Sequence, residues 1–271
     1  MQSTSMDDEE KTIRAVERFP AIVISGGTKR DIEVEVTQEC KLTVMLNNQE
    51  LTTLFCTPTD PEYLALGFLW SEGLLAHKND LKNISVDFGR GLVLVETVSG
   101  KAMGPPTLNE QSDLTFGYGR VSAFHELNPS GPNITSTTRV PASDILAAAE
   151  AFQHLSPLYQ ATHGAHSAAL CSGGQIMVWA EDIGRHNAVD KVLGHCFLKD
   201  IPTHGRSIFS SGRIASDMVL KALKAGAPII VSVAVPTSQA IKLARHHGIT
   251  IIGAVKNRQM TIFTHEERVE T

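Results

Sequence analysis

Residues 227–256, APIIVSVAVPTSQAIKLARHHGITIIGAVK, give the clearest indication of the fold class. PIIVSVAV predicts a strand, SQAIKLARHHG has the spacing of a helix that stops at a glycine, and ITIIGAVK predicts a second strand. Two apolar strands separated by a helix are typical of parallel strands joined by a crossover helix. The stretch therefore predicts a parallel sheet that is buried on both faces.

The same alternation extends upstream to residue 141. ASDILAAAEAFQHL, AVDKVLGHCFL and RIASDMVLKALKAG predict helices, the first capped near Ser143 and the last stopped by Gly226. RSIFSS predicts a strand, and HSAALC and QIMVWA predict a hairpin joined by SGG. We therefore expect an α/β domain over residues 141–271.

Residues 21–115 predict a smaller β-rich domain with one helix. Its strands are expected at DIEVEV, KLTVML, ELTTLFC, ISVDF and GLVLVETV. The helix is expected in TPTDPEYLALGFLWSEGLL, with Asp60 as its cap and Pro61 in its first turn. Residues 1–20 predict a disordered N-terminus, and residues 116–140, rich in Gly, Pro, Ser and Thr, predict a loop or linker.

The composition argues against several classes of protein. The chain of 271 residues carries 24 basic and 29 acidic residues with both signs mixed, which argues against a nucleic-acid surface. The longest apolar run is too short to cross a membrane, and no apolar segment follows the polar N-terminus as it would in a signal peptide. Four cysteines, at 40, 56, 171 and 196, lack CxxC spacing and predict buried apolar side chains rather than a disulfide framework. We expect a soluble intracellular protein.

Four polar loops follow predicted strands, and ligands bind at that edge of an α/β sheet. They are EDIGRHN (181–187), SSGRIAS (210–216), VPTSQA (235–240) and VKNRQ (255–259). Three of the loops open a helix, whose free N–H groups favour anions, and the loops add the positive charges of Arg185, Arg213, Lys256 and Arg258.

A structural explanation competes with the anion site. Ser211, Ser238 and Asn187 could be helix caps, with Arg185 paired to Glu181 or Asp182. This explanation is the better one for any single loop. For all four together the anion site is favoured, because capping does not require a basic residue in three of them.

Three histidines are neighbours of these loops. The predicted hairpin brings His163 and His166 to the end that holds Glu181 and Asp182, with Cys171 about 15–20 Å away at the other end. Their spacing does not match a metal site, so no metal is expected. A structural role is the better explanation for His166, whereas for His186 a structural and a functional role remain equally open.

Several segments carry a family resemblance. They are ALCSGGQIMVWAEDIGRHNAVDKVLG, FSSGRIASDMVLKALKAGAPIIVSVAVPTSQAIKLARHHGITIIG, NRQMTIFTH and CTPTDPEYLALGFLWSEGLL. Over residues 20–268 the chain resembles the FdhD/NarQ family, the accessory sulfurtransferases of formate dehydrogenase. The resemblance implies a cytoplasmic homodimer whose C-terminal domain has a three-layer core similar to the cytidine deaminase fold without its zinc.

The resemblance also implies an activity and its partners. Such proteins take sulfur as a persulfide from a cysteine desulfurase. They pass it to the bis-molybdopterin guanine dinucleotide cofactor of molybdenum or tungsten, bound as a substrate, before that cofactor enters formate dehydrogenase. No permanent cofactor is implied.

The dinucleotide would lie on the polar loops. EDIGRHNAVDK is interpreted as the floor of its cleft, with Asp182, Arg185, His186 and Asn187 on the ligand and with Asp190 and Lys191 bracing the turn from the following helix. Ser211, Gly212, Arg213, Thr237 and Ser238 belong to the neighbouring loops. The cofactor-binding segment of the family falls on Ala254, Val255, Lys256, Asn257, Arg258 and Gln259.

The chain departs from the family at the sulfur-carrying position. The family has a cysteine in a short glycine-containing loop, and the matching stretch here, TFGYGRVSAF (115–124), has Tyr118 in its place. A phenol cannot hold a persulfide. Three explanations are open: a member that binds the cofactor without carrying sulfur, a substitute thiol, or a different alignment of this loop.

Two functions follow, and a third is remote. The first is sulfur transfer to the dinucleotide cofactor, and the second is a non-catalytic cofactor chaperone or guanine-nucleotide-binding module. The third is an α/β hydrolase with Asp182 and His186 as an acid–base pair, for which no nucleophile is identified.

Overall fold

The N-terminal half is built on a four-stranded sheet. The structure, a computed structural model, describes residues 15–100 and 133–271. A two-stranded antiparallel hairpin comes first, followed by a sheet of order β4-β3-β6-β5 with one helix packed against it. The elements are β1 (Val16–Ser25), β2 (Thr28–Thr37), β3 (Cys40–Leu46), β4 (Gln49–Cys56), α1 (Pro61–Ser71), a 3₁₀ turn (Lys78–Asp80), β5 (Leu81–Asp87) and β6 (Leu92–Thr97).

The C-terminal half is built on a six-stranded mixed sheet of order β13-β12-β11-β10-β8-β9. A short parallel pair, β7 with β14, lies beside it. The elements are β7 (Val140–Pro141), α2 (Ala142–Gln153), α3 (Pro157–Thr162), β8 (His166–Ser172), β9 (Gln175–Asp182), α4 (Arg185–Leu198), β10 (Ser207–Ser210), α5 (Ser216–Ala225), β11 (Ile229–Ser232), α6 (Ser238–His247), β12 (Thr250–Lys256), β13 (Gln259–Thr264), a 3₁₀ turn (Glu266–Arg268) and β14 (Val269–Glu270).

The parallel sheet predicted from residues 227–256 is confirmed for its centre. Strands β10, β11 and β12 run parallel through the crossover helices α5 and α6. The flanking strands β8 and β13 are antiparallel to this centre, and β9 is antiparallel to β8 through the predicted hairpin. A short turn reverses the direction of the chain, so the strand pairs β8–β9 and β12–β13 are antiparallel hairpins.

Helices cover both faces of the large sheet, which gives three layers. On one face α4, α5 and α6 share an apolar cluster that includes Val192, Met218 and Leu243. On the other face α2 inserts Phe152 against Phe209. The predicted α/β class is therefore confirmed.

Two glycines let α1 of the N-terminal half cross α4 of the C-terminal half at backbone contact. A Cβ atom at Gly67 would lie 1.8 Å from the carbonyl oxygen of Asp190, and one at Gly194 would lie 1.8 Å from the carbonyl oxygen of Tyr63. No side chain fits between the two backbones at either place. The two halves are consequently packed together along this crossing.

Several predicted boundaries are wrong for local reasons. β1 begins at Val16, so residues 16–20 belong to a strand and not to the disordered N-terminus predicted for residues 1–20. Asp60 lies at the start of α1 but is left-handed (φ 51°) and makes no side-chain cap bond. Ser143 lies inside α2, which begins directly after Pro141. β11 stops at Ser232, earlier than predicted, because the Ser232 hydroxyl accepts a hydrogen bond from the amide of Ala234 (3.0 Å).

Candidate functional site

The four polar loops lie along one edge of the six-stranded sheet, as the strand order requires. β9, β10, β11 and β12 all end there, and the loops are linked by backbone bonds from Thr237 N to Ile214 O and from Ala254 N to Ala234 O, both 2.9 Å. The Ser232 hydroxyl donates to the carbonyl of Gly212 (2.7 Å). Three of the loops open α4, α5 and α6, and the fourth is the turn between β12 and β13.

Asp182 is the buried centre of the first loop. One carboxylate oxygen accepts from the amide and the hydroxyl of Thr57, both at 3.1 Å, and pairs with the ammonium of Lys191 at 2.7 Å. The other oxygen accepts from the amide of Gly184 (3.0 Å) and the side chain of Asn187 (2.8 Å). Asp182 has no exposed surface. The expectation that it touches a ligand is therefore corrected, because its oxygens are already occupied by the protein.

Lys191 braces this turn, as predicted, and Asp190 does not. The Lys191 side chain is fully buried and also donates to the Thr57 hydroxyl (2.6 Å) and the Glu181 carbonyl (3.2 Å). Asp190 points instead to other helices, where it accepts from Ser71 of α1 and from Lys221 of α5. Successive helical residues face different directions, so the two side chains reach different elements.

Glu181 ties the same segment to α3. Its carboxylate accepts from the hydroxyl of Ser156 (2.6 Å) and the amide of Leu158 (3.3 Å) at the start of that helix. Burial raises the pKa of Glu181 despite these bonds. Most charged side chains of residues 181–191 thus fasten other parts of the fold to the sheet edge.

Arg185, His186 and Asn187 are partly exposed. The Arg185 side chain lies against Gly212, where a Cβ atom would come within 2.7 Å of the Arg185 Cδ atom. His186 pairs with Asp217 of α5. Burial acts to raise the pKa of Asp217, yet that pKa is lowered because hydrogen bonds and positive charge from His186 outweigh it.

His166 and Ser211 form a second polar pair at the edge. Ser211 Oγ lies 3.0 Å from His166 Nδ1 and accepts from the amide of Ser167 (2.9 Å). Burial, together with the charges of Arg185 and His186, lowers the pKa of His166. The lowered pKa favours the neutral ring, whose Nδ1 atom can accept a hydrogen bond from the Ser211 hydroxyl. The predicted grouping of His166 with Asp182 is confirmed by their pairing across β8 and β9.

His163 is not part of this group. It is exposed at the end of α3, where its ring meets the ring of Tyr159 edge-on. Its left-handed backbone (φ 53°) ends the helix.

The capping explanation does not account for the loop residues. Ser211 and Asn187 are not at cap positions, since Ala215 and Gly184 precede α5 and α4. Thr237 caps α6 by accepting from the amide of Ala240 (3.3 Å). Arg213 and Ser238 are exposed on the same edge.

Residues 254–259, the predicted cofactor-binding segment, include one buried residue and four exposed ones. Val255 is buried under the opposite face of the sheet, beside α2, because strand residues alternate in direction. It therefore has no surface for a ligand. Lys256, Asn257, Arg258 and Gln259 are exposed at the β12–β13 turn, and Ala254 is partly buried. Tyr118 lies outside the described residues.

The contribution of β4 to this site was not predicted from the sequence. Asn187 donates to the carbonyl of Phe55 (2.7 Å), and Thr57 binds Asp182 and Lys191, so both neighbours of Cys56 are held by the 181–191 segment. Cys40 faces Cys56 across β3 and β4. The local signal was the polar CTPT after an apolar strand, but nothing in it names the partners.

The charges and helix ends at this edge suit an anion. Basic side chains from three loops and the first amides of three helices lie along one border of the sheet. Among residues 15–100 and 133–271, no group of three His, Cys, Asp or Glu side chains is arranged to hold a metal ion. In the same ranges no helix is long and apolar enough to cross a membrane.

Comparisons with known proteins find relatives that match this chain over nearly its whole length. The FdhD/NarQ family model matches residues 37–270. The chain is 36% identical to the sulfur carrier protein FdhD of Bacillus subtilis (strain 168), over 97% of this chain and 99% of that one. It is 33% identical to the protein of the same name from Geobacillus kaustophilus, over 94% and 97% of the two chains. A crystal structure of a protein described as a formate dehydrogenase accessory protein, from Desulfotalea psychrophila, matches with a TM-score of 0.76 and 26% identity over 94% of this chain and all of the other.

Proposed function

Because the chain belongs to the FdhD/NarQ family, we propose that it is a sulfur carrier that serves as an accessory protein of a formate dehydrogenase. The observation that carries this proposal is the 36% identity with a sulfur carrier protein over 97% of this chain and 99% of its relative. A match over nearly the full length of both chains supports the same general role for the whole protein.

The proposal extends to the two ends of the transfer. The donor is a cysteine desulfurase, which supplies sulfur as a persulfide. The acceptor is the molybdenum or tungsten bis-molybdopterin guanine dinucleotide, bound as a substrate by a homodimer in the cytoplasm. The exposed Arg213 and the partly exposed Arg185, beside the starts of α5 and α4, support a phosphate-binding role for the sheet edge.

The residues of this chain would divide the work of binding. Arg185 would reach a phosphate or the guanine while Gly212 leaves room for its side chain. Asp182 and Lys191, both buried, would keep the turn rigid so that Arg185 starts from a fixed backbone. Lys256 and Arg258 would add positive charge at the border of the same surface.

A second function is favoured by one observation, Tyr118 at the position of the family's sulfur-carrying cysteine. On that alternative the chain is a cofactor chaperone that binds the dinucleotide and carries no sulfur.

Intact-protein mass spectrometry distinguishes the two functions. The full chain is incubated with a cysteine desulfurase, pyridoxal phosphate and cysteine, and binding of GDP is measured by calorimetry. The sulfur carrier is expected to gain the mass of one sulfur atom, which a reductant removes. Absence of that gain together with GDP binding would contradict sulfur carriage and leave the chaperone.

A further inference from the structure

Cys40 and Cys56 form a dithiol at the joint between β4 and the 181–191 segment. They face each other directly in antiparallel strands, with their sulfur atoms 3.7 Å apart. Cys40 Sγ also lies 3.3 Å from the carbonyl oxygen of Cys56. Cys40 is partly exposed and Cys56 is fully buried, so a reagent from solution would meet Cys40 first.

The dithiol is held by the same groups that build the candidate site. Thr57, directly after Cys56, binds the buried Asp182–Lys191 pair, and Phe55, directly before it, accepts from Asn187. The charges of Asp182 and Lys191 both act on Cys40. The two sulfur atoms are therefore fixed beside the turn that opens α4.

The pKa of Cys40 is lowered, whereas the pKa values of the other three cysteines are raised. A hydrogen bond from Cys56 lowers the pKa of Cys40, outweighing its partial burial and the charge of Asp182, and Lys191 lowers it further. The same contact and burial raise the pKa of Cys56. Burial raises the pKa of Cys171 and of Cys196 to about 12. Since the thiolate is the nucleophile and Cys40 is the one partly exposed thiol of the four, a persulfide donor from solution would react with Cys40 first.

We propose that Cys40 is the thiol that accepts sulfur in this chain, with Cys56 as the thiol that resolves the product. The inference rests on the proposed function of sulfur carriage. It names a site in the described residues that does not depend on Tyr118.

The chemistry balances without a further oxidant. The Cys40 thiolate attacks the terminal sulfur of a donor persulfide, R–S–SH; the donor S–S bond breaks, Cys40–S–SH forms, and R–S⁻ leaves. That terminal sulfur can then pass to an acceptor. Alternatively Cys56 attacks the inner sulfur while its proton passes to the departing terminal sulfur, which gives a Cys40–Cys56 disulfide and H₂S: the sulfane sulfur is reduced while the two cysteine sulfurs are oxidised. A dithiol reductant then restores both thiols.

The strand geometry permits this disulfide. Residues that face each other in antiparallel strands have Cα atoms about 4.5–5.5 Å apart, within the range of about 4.4–6.8 Å found in disulfides. Rotation of the two side chains is enough to join the sulfur atoms.

The test uses the full chain and four proteins: wild type, Cys40→Ser, Cys56→Ala and the control Cys196→Ala. Each is incubated with a persulfurated cysteine desulfurase, alkylated, and mapped by peptide mass spectrometry, while released sulfide is measured. Wild type and Cys196→Ala are expected first to gain one sulfur atom at Cys40, and at later times to release it as sulfide while the Cys40–Cys56 disulfide forms. The amount of sulfur taken up by Cys40→Ser is expected to be at least about tenfold lower than in the wild type, because a hydroxyl cannot replace the thiolate. Cys56→Ala is expected to retain the Cys40 persulfide and release little sulfide.

The outcomes separate this inference from the proposed function. Sulfur uptake that persists in Cys40→Ser, or that maps to Cys171 or Cys196, overturns the role of Cys40 and leaves sulfur carriage standing. Absence of both sulfur uptake and sulfide release in the wild type overturns both. If circular dichroism finds Cys40→Ser unfolded, wild type alkylated at Cys40 beforehand replaces it, and uptake by that protein would equally overturn the inference.

Discussion

Replacement of Lys191 by methionine tests whether the Asp182–Lys191 pair joins the two halves of the protein. Both side chains are fully buried, and the Lys191 ammonium contacts the Asp182 carboxylate at 2.7 Å and the Thr57 hydroxyl at 2.6 Å. Methionine keeps most of the volume of the side chain and removes the charge. The carboxylate of Asp182 is then left in the interior without its counter-ion.

The expected loss in the free energy of unfolding depends on the hydrogen bonds that Asp182 keeps after the substitution. Loss of one partner of a buried ion pair typically costs about 3–5 kcal/mol, because the remaining charge is not compensated. Four hydrogen bonds to Asp182 persist, from Thr57 N, Thr57 Oγ1, Gly184 N and Asn187 Nδ2. We therefore expect the lower end of that range, a loss of about 3 kcal/mol in the free energy of unfolding.

Urea denaturation at pH 7 measures this loss, with Lys224→Met as the control. Lys224 is exposed on α5, and its replacement is expected to change stability by less than about 0.5 kcal/mol. The double variant Asp182→Asn/Lys191→Met should recover at least about 1 kcal/mol, because it removes the uncompensated charge. A loss below about 1 kcal/mol in Lys191→Met, or no recovery in the double variant, would show that the pair does not join the two halves.

Three further predictions concern the sheet edge and α1. Arg185→Ala is expected to weaken GDP binding in calorimetry about tenfold, because a charge-assisted bond to phosphate is lost; equal weakening by Arg90→Ala, at the distant β5–β6 turn, would contradict it. Gly212→Ala is expected to displace the Arg185 side chain, since a Cβ would lie 2.7 Å from its Cδ, and so to weaken GDP binding more than Gly89→Ala does. Burial raises the pKa of Glu72 to about 7 from its ordinary value of 4.5. Between these two pH values the carboxyl is protonated in the native state and ionised in the unfolded state. The free energy of unfolding therefore falls as pH rises from 4.5 through 7. Glu72→Gln should therefore be more stable than wild type at pH 8 and indistinguishable from it at pH 4 in thermal unfolding.

The crowding of charge in EDIGRHNAVDK has a structural explanation. Glu181 holds α3, Asp182 and Lys191 hold β4, and Asp190 holds α1 and α5. These side chains join the segment to α3, β4, α1 and α5, whereas Arg185, His186 and Asn187 remain partly exposed. Packing therefore uses Glu181, Asp182, Asp190 and Lys191, and leaves Arg185, His186 and Asn187 for the proposed ligand site.

The main chemical question is which thiol of this chain would carry the transferred sulfur atom. Tyr118 stands where the resemblance places the family's sulfur-carrying cysteine. The dithiol of Cys40 and Cys56 offers a substitute beside the buried Lys191. Of the four cysteines, Cys40 combines partial exposure with a lowered pKa, whereas the other three are buried and have raised pKa values.

Local patterns in the chain were sufficient to predict the class of fold and the edge that carries the polar loops. Hydrophobic periodicity is a property of neighbouring residues, so the strands, the crossover helices and the stop at Gly226 were predictable from short segments. Because parallel strands end on the same side, the loops at 181–187, 210–216 and 235–240 could be grouped from the order of the predicted elements.

Which polar residues face solvent, and which thiols meet, depends on contacts between distant segments. Asp182 is buried because Thr57, 125 positions away, docks on it, and no local pattern encodes that contact. Pairing outward from Leu46 and Gln49 would place Cys40 opposite Phe55. An irregularity between Val44 and Met45 shifts the register by one residue and brings Cys56 there instead. Burial and long-range register follow from how the whole chain packs, so they emerge only in the folded protein.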